Sequence, residues 1–335
     1  MSRLKLPALC CLALAASALA DEPRPLALVI HGGAGVIDPS QMTPEHAASY
    51  RAGLAAALDA GYAVLQQGGS SLDAVTTAVR IMEDDPQFNA GRGAVLDHNG
   101  DAELDAAIMD GSGPRAGAVA AVTHVKNPIE LARLVMDKSR HVLLVADGAE
   151  EFALEQGVVL VSRDYFRTEA RERQLTEARA AEHAPPKSPL PGGGGTVGAV
   201  ALDSQGHLAA ATSTGGLTNK HRGRVGDSPI IGAGTYANQA CAVSGTGDGE
   251  FFIRQVVAYD ICALLEYQHL SLAAAAHQVL HEKLHRTGGE GGVIGLDKGG
   301  NIVMDFNSVG MFRAARDSHG RRDIAMYRDT RGPGS

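Results

Sequence analysis

Apolar and polar residues follow two kinds of spacing in the first half of the chain, one typical of strands and one typical of helices. The run PLALVIHGGAG is apolar up to its glycines, and it predicts a buried strand that ends in a glycine turn. Residues 44–67 carry apolar side chains at helical spacing. A second helix, capped by Ser70 or Ser71, is predicted to run to about Met82.

Shorter apolar segments follow, each bounded by glycine or proline. We expect strands at residues 103–109 and 117–123, a helix from Pro128 to about Ser139, and another helix near Asp147. A charged segment of helix formers comes next and leads into a stretch rich in proline and glycine.

The second half of the chain has a different pattern. Four consecutive strands are predicted from the runs VGAVALD, HLAAATST, IIGAGTYA and CAVSGTG, and two helices follow near residues 249–267 and 271–287. Two further strands are predicted from GGVIGLD and NIVMDF, and residues 313–335 predict a short strand and a loose tail. Strands first, helices second and strands last favour layered α+β packing over a doubly wound parallel sheet.

Composition places the chain among globular proteins and narrows its partners. Its 335 residues suffice for one large domain or two modest ones, and 44% of them are hydrophobic while 20% are charged. The formal net charge is −8, and no basic patch comparable to a phosphate-binding groove is visible. We therefore expect a small-molecule substrate and no nucleic acid.

The first residues, MSRLKLPALCCLALAASALADEP, have the pattern of a secretory signal peptide. A basic start precedes an apolar run that ends in small residues, which predicts a leader at 1–20 and a mature chain from Asp21. An uncleaved anchor, or a lipoprotein signal at Cys10 or Cys11, is the less favoured alternative. No later segment is long and apolar enough to cross a bilayer, so we expect an exported, periplasmic protein without a membrane anchor.

Removal of the leader leaves two cysteines, Cys241 and Cys262. An exported protein can join such a pair in a disulfide, but two cysteines do not make a disulfide framework. Of the two interpretations, we favour two buried thiols.

One stretch, PGGGGTVGAVALD at residues 191–203, carries the main chemical hypothesis. Residues 184–195 contain four prolines and four glycines, which is typical of a linker. The alternative is that the bond between Gly195 and Thr196 is cut. A threonine at a chain start has a free α-amine with a pKa near 8, and this amine can accept the hydroxyl proton. On the glycines alone, both interpretations stay open.

Several long motifs in a fixed order resolve this ambiguity. The chain reads GGGGTVGAVALD, ATSTGGLTNKHRGRVGDSPIIGAGTYA and VSGTGDGEFFIR, preceded by VIHGGAG, GGSSLDAV, FNAGRGAVL and ELDAAIMDG. From about Leu26 to about Phe312 it resembles the plant-type asparaginase and isoaspartyl-peptidase family of N-terminal-nucleophile hydrolases. The resemblance implies an αββα four-layer sandwich made as one precursor. It also implies self-cleavage into an α-subunit, residues 21–195, and a β-subunit, residues 196–335, assembled as an (αβ)2 dimer.

The resemblance assigns catalytic roles to five residues. Thr196 corresponds to the nucleophile, with its own amine as base, and Thr214 to a threonine whose hydroxyl lies beside it. Thr246 and Gly247 correspond to the pair that stabilises the oxyanion. Asn89 corresponds to an asparagine that supports the site.

Substrate recognition is assigned to Arg224 and Asp227 in GRVGDSP. Arginine can hold an α-carboxylate in a two-pronged hydrogen bond while aspartate pairs with the α-ammonium. Without the resemblance, a surface ion pair would be the better interpretation. With it, the pair suits asparagine or a β-aspartyl dipeptide, and the sequence does not rank these two substrates.

The segment MEDDPQFNAGR resembles the sodium loop of the family, which binds through main-chain oxygens. In relatives a cysteine often stands in place of Asp85 and an apolar residue in place of Arg92, so the loop departs from the family pattern there. We expect a structural Na⁺ and no catalytic cofactor. The implied ligands are the carbonyl oxygens of Met82, Glu83, Asp85, Phe88, Ala90 and Arg92.

Other classes of protein must be weighed against this interpretation. Residues 281–285 read HEKLH, with His277 one turn earlier, and HExxH on a helix is a zinc-peptidase motif. A third ligand at the spacing of known zinc peptidases is missing, because Glu290 is misplaced, so we disfavour this alternative. A non-catalytic relative should have lost some site residues, and GRVGDSP argues against a threonine endopeptidase. Glycosylasparaginase stays open, since it clamps the same head group.

Overall fold

The computed structural model describes residues 24–35, 39–182 and 195–328. The predicted leader, residues 1–20, and residues 184–194 of the predicted linker lie outside this part. The described strands are β1 (Ala27–Ala34), β2 (Leu104–Asp110), β3 (Arg115–Val122), β4 (Leu143–Val145), β5 (Val197–Leu202), β6 (Leu208–Thr214), β7 (Thr235–Ala237), β8 (Cys241–Gly247), β9 (Gly291–Asp297), β10 (Ile302–Phe306), β11 (Gly310–Asp317) and β12 (Arg322–Tyr327).

The described α-helices are α1 (Pro44–Gln66), α2 (Ser71–Asp84), α3 (Pro128–Lys138), α4 (Ala146–Glu155), α5 (Glu169–Glu182), α6 (Gly249–Gln255), α7 (Val257–Gln268) and α8 (Leu272–His277). A π-helical segment, Gln278–Leu284, continues directly from α8. Short 3₁₀ turns lie at Pro39–Gln41, Gly91–Gly93 and Arg163–Phe166. Within the described ranges, no helix has the length and apolar character needed to cross a membrane.

Two β-sheets form the centre of the molecule. The larger has the order β12-β11-β1-β5-β6-β2-β3-β4, and the smaller has the order β10-β9-β8-β7. Neighbouring strands are antiparallel except for the β3–β4 pair. The predicted α+β class is therefore confirmed, and a doubly wound parallel sheet is absent from the described chain.

Three apolar clusters stack these elements in four layers. Helices α1, α2 and α3 cover one face of the large sheet, whose other face packs on the small sheet. Helices α7 and α8 cover the outer face of the small sheet. The order helix, sheet, sheet, helix is the αββα arrangement that the motif resemblance implies.

Strand β1 shows why the central strands are apolar throughout. Leu28 and Ile30 point to the cluster under α1, while Ala27 and Val29 point to the cluster between the sheets. Side chains of a strand alternate between its two faces, so a strand covered on both faces needs apolar residues at every position. All eight residues of β1 are buried.

Each of the first two helices begins at a side-chain cap. The Thr43 hydroxyl accepts a hydrogen bond from the His46 N–H at 3.2 Å, and Pro44 follows at the first helical position. Of the two candidates for the second cap, Ser70 is the cap, because its hydroxyl accepts from the Asp73 N–H at 3.1 Å.

Several elements differ from the sequence prediction, and the strand predicted from IIGAGTYA is reduced to Thr235–Ala237. Strand β4 was not predicted, because three exposed or half-exposed residues carry no readable alternation. The helix predicted at 249–267 breaks at Val256, which adopts a left-handed conformation with φ of 52°. The helix predicted at 271–287 becomes π-helical after His277. The polar C-terminal segment forms two strands, β11 and β12, and the exposed positions of β12 accept polar residues because this strand lies at the sheet edge.

The prediction of two buried thiols is wrong. Cys241 and Cys262 are buried, but they form a disulfide between β8 and α7, with their Cα atoms 5.7 Å apart. The two cysteines are 21 residues apart. The chain-entropy model gives such a cross-link roughly 3 kcal/mol of stabilisation. It ties the small sheet to its outer helices.

Candidate active site

Two threonine hydroxyls meet at the centre of the large sheet. Thr196 lies directly before β5 and is 6% exposed, and its Oγ1 donates a hydrogen bond to Thr214 Oγ1 at 3.1 Å. Val197 of β5 pairs with Ser213 of β6 in antiparallel register. The residues just outside that pair, Thr196 and Thr214, therefore become neighbours because of the sheet register.

The loop after Thr214 holds its hydroxyl in place. Thr214 Oγ1 accepts a second hydrogen bond from the Gly216 N–H at 3.0 Å. Asn89 Nδ2 donates to the Gly216 carbonyl at 2.8 Å, and its Oδ1 accepts from the Val95 N–H at 2.8 Å. Asn89 thus fastens the loop behind Thr214, and its supporting role in catalysis stays a prediction.

Glycine is required on both sides of the predicted cleavage region for reasons of space. A Cβ added to Gly33 would lie 2.1 Å from the Gly195 Cα, and one added to Gly195 would lie 2.7 Å from the Gly32 oxygen. Gly33 has a positive φ of 114°, which glycine adopts readily. At Gly195, the close packing of two backbones is the reason for glycine.

A buried histidine that the sequence analysis missed holds the carbonyl of the candidate nucleophile. His31 Nδ1 lies 3.0 Å from the Thr196 oxygen, and His31 Nε2 lies 2.9 Å from Ser244 Oγ. Because a carbonyl can only accept, Nδ1 carries the proton and Nε2 accepts from Ser244. Burial lowers the pKa of His31 to about 3, so the ring is neutral.

The hydrogen bonds continue from His31 into the region between the sheets. Ser244 Oγ lies 2.7 Å from Thr212 Oγ1, which accepts from Thr235 Oγ1 at 2.6 Å. All of these side chains are fully buried. A Cβ on Gly198 would lie 2.0 Å from Ser244 Oγ, so this glycine leaves the room that the chain of hydroxyl groups needs. This chain of hydrogen-bonded side chains from His31 to Thr235 is buried and fully paired, as a rigid site requires.

The predicted oxyanion residues lie where the two sheets meet. Thr246 is fully buried, and its Oγ1 accepts from the Ala34 N–H at 3.2 Å, which leaves its own hydroxyl proton for another acceptor. Gly247 has a φ of 150°, and an added Cβ would lie 2.4 Å from the Glu290 oxygen. Both conformation and space therefore require glycine at 247.

Arg224 and Asp227 come together around one glycine. A Cβ on Gly249 would lie 2.8 Å from Arg224 Nη2 and 3.0 Å from Asp227 Oδ1. Asp227 is buried, and its Oδ2 has no hydrogen-bond partner among the described residues. Burial raises the pKa of Asp227 to about 7, although the charge of Arg224 opposes this shift. A buried, unpaired acceptor beside a guanidinium is what an amino-acid head group needs.

The carboxylate of Glu250 binds the guanidinium of Arg224, and this contact was not predicted from the sequence. Arg224 Nε and Nη2 each donate to the Glu250 carboxylate at 2.9 Å, in a fork-to-fork pair. Glu250 lies in the first turn of α6. An acidic residue there is ordinary, because it suits the helix dipole, so the sequence carried no signal for this contact.

A buried charged pair supports the loop that carries Arg224. Lys220 Nζ donates to the Glu103 carbonyl at 2.9 Å, and the Glu103 carboxylate accepts from the Gly223 N–H at 2.8 Å. Burial lowers the pKa of Lys220, while the nearby acidic groups oppose the shift. The pair fixes the start of the GRVGDSP loop and so positions Arg224, the predicted ligand of the substrate carboxylate.

Backbone carbonyls gather at the predicted sodium loop, after the end of α2. Pro86 has no N–H for the carbonyl of Met82, and the Gln87 N–H bonds to Asp85 Oδ1 at 3.0 Å instead of to the carbonyl of Glu83. The Asp85 and Ala90 oxygens accept from backbone N–H groups at 3.2 and 3.1 Å.

Two glycines leave space for carbonyl groups of this loop. A Cβ on Gly93 would lie 2.1 Å from the Phe88 oxygen, and one on Gly91 would lie 2.4 Å from the Glu83 oxygen. The side chain of Arg92 is exposed and lies 5.0 Å from the centre of the Tyr165 ring. The close approach of these carbonyls to the two glycines fits a cradle of main-chain oxygens.

The side chain of Glu83 links this loop to the active strands. Glu83 Oε1 accepts from Ser213 Oγ at 2.6 Å and from the Ile129 N–H at 3.0 Å. Burial raises the pKa of Glu83 to about 8, so the carboxyl is mainly protonated at pH 7. Ser213 precedes Thr214, and this bond therefore joins α2 to β6 directly behind the threonine pair.

The HEKLH motif does not form the site that its spacing suggests. His281 Nε2 lies 3.0 Å from both carboxylate oxygens of Asp305, and its ring stacks on His277 with centroids 4.5 Å apart. His285 is exposed and has no part in this contact. The structure thus pairs His281 with the histidine before it and not with the one after it.

Four layers around a buried threonine pair, with an arginine and an aspartate nearby, define the asparaginase class of hydrolases that the motifs predict. A family model described as asparaginase matches residues 24–326. The isoaspartyl peptidase of Salmonella typhimurium is 54% identical over 308 residues, which cover 90% of this chain and 98% of the relative. The chain therefore belongs to the asparaginase family, and the resemblance found in its motifs is confirmed.

Similarity extends to other bacteria and to plants. The isoaspartyl peptidase of Escherichia coli is 50% identical over 308 residues, covering 90% of this chain and 96% of the relative. The probable isoaspartyl peptidase/L-asparaginase 2 of Arabidopsis thaliana is 43% identical over 324 residues, covering 90% and 98%. The match thus spans nearly the full length of each relative.

Proposed function

We propose that this protein is an isoaspartyl peptidase and L-asparaginase. It hydrolyses β-aspartyl dipeptides to aspartate and an amino acid, and asparagine to aspartate and ammonia. The observation that carries the proposal is the buried hydrogen bond between Thr196 and Thr214 directly after Gly195. The names of the relatives support it, and so does the unpaired carboxylate oxygen of Asp227 beside Arg224.

The proposed enzyme matures by cutting its own Gly195–Thr196 bond. In the uncut chain the nitrogen of Thr196 is an amide and cannot take a proton from the hydroxyl, so the chain needs a new terminus before it can act. The mature protein then consists of residues 21–195 and residues 196–335. The tight packing of Gly33 on Gly195 supports this, because it holds the carbonyl ahead of Thr196 in one place.

The catalytic steps follow from the chemistry of a terminal threonine. The Thr196 amine takes the hydroxyl proton as Oγ1 attacks the side-chain carbonyl carbon of the substrate. The Thr246 hydroxyl and the Gly247 N–H stabilise the negative oxygen. The leaving amine departs with that proton and leaves an aspartyl ester on Thr196. Water then attacks the ester and gives a proton to the same amine. When the ester bond breaks, this proton passes to Oγ1 and restores the Thr196 hydroxyl.

Steady-state kinetics on matched substrates test the proposed function. We expect turnover of β-aspartyl-leucine and asparagine, and none of α-aspartyl-leucine. In α-aspartyl-leucine the α-carboxyl group forms the peptide bond, so no free α-carboxylate remains for Arg224 to hold. N-glycosylated asparagine should be the poorest of the β-linked substrates. Hydrolysis of the glycosylated substrate alone would replace this proposal with the glycosylasparaginase alternative.

Glu250 should compete with the substrate for Arg224. Replacement of Glu250 by glutamine removes the charge that now holds the guanidinium, so we expect the KM for asparagine to fall about two- to fivefold, with little change in kcat. The Glu250 side chain is 53% exposed, which keeps the effect within about 1 kcal/mol. Steady-state kinetics measure it, with Glu177→Gln on exposed α5 as a matched control. A large loss of kcat would instead mean that Glu250 contacts the substrate.

We further propose that the loop after α2 binds a structural Na⁺. Its ligands are the main-chain oxygens of Met82, Glu83, Asp85, Phe88, Ala90 and Arg92. Oxygen ligands suit such a hard cation, and carbonyls that helix donors leave free support its binding here. Thermal unfolding should occur a few degrees (~2–4 °C) higher in sodium chloride than in choline chloride of equal ionic strength. Equal midpoints in both salts would contradict a sodium site.

Export and assembly complete the proposal. The Cys241–Cys262 disulfide supports a periplasmic location, since such bonds persist in oxidising compartments. The exported product should begin at Asp21 when its N-terminus is sequenced. For assembly as an (αβ)2 dimer, support comes from β4, an edge strand with exposed Leu143 and Val145. Light scattering of the purified protein should give twice the mass of one chain.

A further inference from the structure

A compact group of metal-ligating side chains lies away from the threonine pair. His277 ends α8, His281 lies one turn later in the π-helical segment, and Asp305 lies on the neighbouring strand β10. One ligand atom from each of the three lies within 4.8 Å of the other two. Within the described residues, this is the group of three that offers such a geometry.

The chemistry of the three side chains favours one type of ion. Two imidazoles and one carboxylate are typical ligands of zinc and of similar divalent transition metals, whereas calcium and magnesium prefer oxygen alone. A tetrahedral zinc site with bonds near 2.0–2.1 Å places its ligand atoms about 3.3 Å apart. His281 Nε2 and the Asp305 oxygens already lie 3.0 Å apart. Only the His277 ring must therefore approach further.

The positions of the rings leave room for that approach. His277 is exposed, and the side chains of His281 and Asp305 are 22% and 25% exposed, so all three can adjust by rotation. The two rings stack at 26° to each other in the present arrangement. Turning the His277 ring towards Asp305 replaces a weak stacking contact by a bond to the metal. Water would fill the fourth position.

We propose that His277, His281 and Asp305 form a surface site for a divalent transition-metal ion of the zinc class, which fastens the end of α8 to β10. The site lies on the helix that carries HEKLH but uses a different pair of histidines, so it is not a peptidase centre. The ion joins the outer helical layer to the small sheet. It should therefore stabilise the fold without taking part in catalysis.

Calorimetric titration with zinc chloride tests the site. The mature protein is treated with EDTA, desalted and titrated as wild type, His277→Ala, Asp305→Asn and His285→Ala. We expect one Zn²⁺ per chain in the wild type, and at least tenfold weaker binding in His277→Ala and Asp305→Asn. His285→Ala is the matched control, because it removes an exposed histidine from the same helix, and it should bind like the wild type.

Thermal unfolding gives an independent readout. Zinc should raise the midpoint temperature of unfolding of the wild type and of His285→Ala. It should not raise that of His277→Ala, whose midpoint in zinc should equal that of the wild type in EDTA. Turnover of asparagine should be unchanged by EDTA. The proposal is overturned if the wild type binds no zinc, or if His277→Ala binds as tightly as the wild type. Loss of binding in His285→Ala would assign the ion to the HEKLH pair instead.

Discussion

Replacement of Thr196 by alanine should leave the protein as one uncut chain with no measurable hydrolysis of asparagine or β-aspartyl-leucine. In the proposed mechanism, the hydroxyl that donates to Thr214 attacks in both self-cleavage and turnover, so its loss should remove both reactions. Loss of a catalytic nucleophile typically lowers kcat by a factor on the order of 10⁴ or more. Gel electrophoresis and steady-state kinetics measure the two effects.

A conservative variant separates chemistry from folding. Thr196→Ser keeps the hydroxyl and the future amine, and it should cut itself and retain part of the activity. Thr196→Ala should still fold, because it removes only a hydroxyl and a methyl group at a position beside small residues of β5 and β6. If Thr196→Ala were processed and active like the wild type, another residue would have to be the nucleophile.

Replacement of Asp227 by asparagine is expected to lower kcat/KM by about 10²- to 10³-fold. In the proposed clamp, this buried charge pairs with the substrate ammonium, and loss of one partner from such a pair costs roughly 2–5 kcal/mol. Steady-state kinetics on asparagine measure the loss. The exposed carboxylate of Asp147 offers a matched control, and Asp147→Asn should leave kcat/KM unchanged.

The pH profile gives a second test of Asp227. Burial raises its pKa to about 7, so the carboxyl is largely neutral below that pH and binds an ammonium group poorly. The kcat/KM of the wild type should therefore rise with pH through about 7, while the Thr196 amine adds a further rise near 8. Asp227→Asn should lose the lower of the two rises. An unchanged profile in the variant would show that Asp227 does not titrate in the free enzyme.

The elements that the sequence predicts well are those with strong local signals. Strand β1 is apolar at every position because both of its faces are covered, and α1 and α2 carry caps that act within one turn. The contact between Thr196 and Thr214 is also set locally, since it follows from the register of two strands that are adjacent along the chain. These features need no knowledge of distant residues.

The features that the sequence could not show depend on how separate elements pack against one another. His31 reaches Thr196 only because β1 and β5 are neighbours in the sheet, and a lone histidine in an apolar run gives no sign of that. The Cys241–Cys262 disulfide requires β8 to pack on α7. The salt bridge between Arg224 and Glu250 likewise joins a loop to a later helix.

Intact mass spectrometry of the active enzyme tests the central claim most directly. If a hydroxyl and an amine on the same residue do the chemistry, the active protein must consist of two chains, the smaller running from Thr196 to Ser335. A preparation with full activity in which every molecule still carries the Gly195–Thr196 bond would contradict the account.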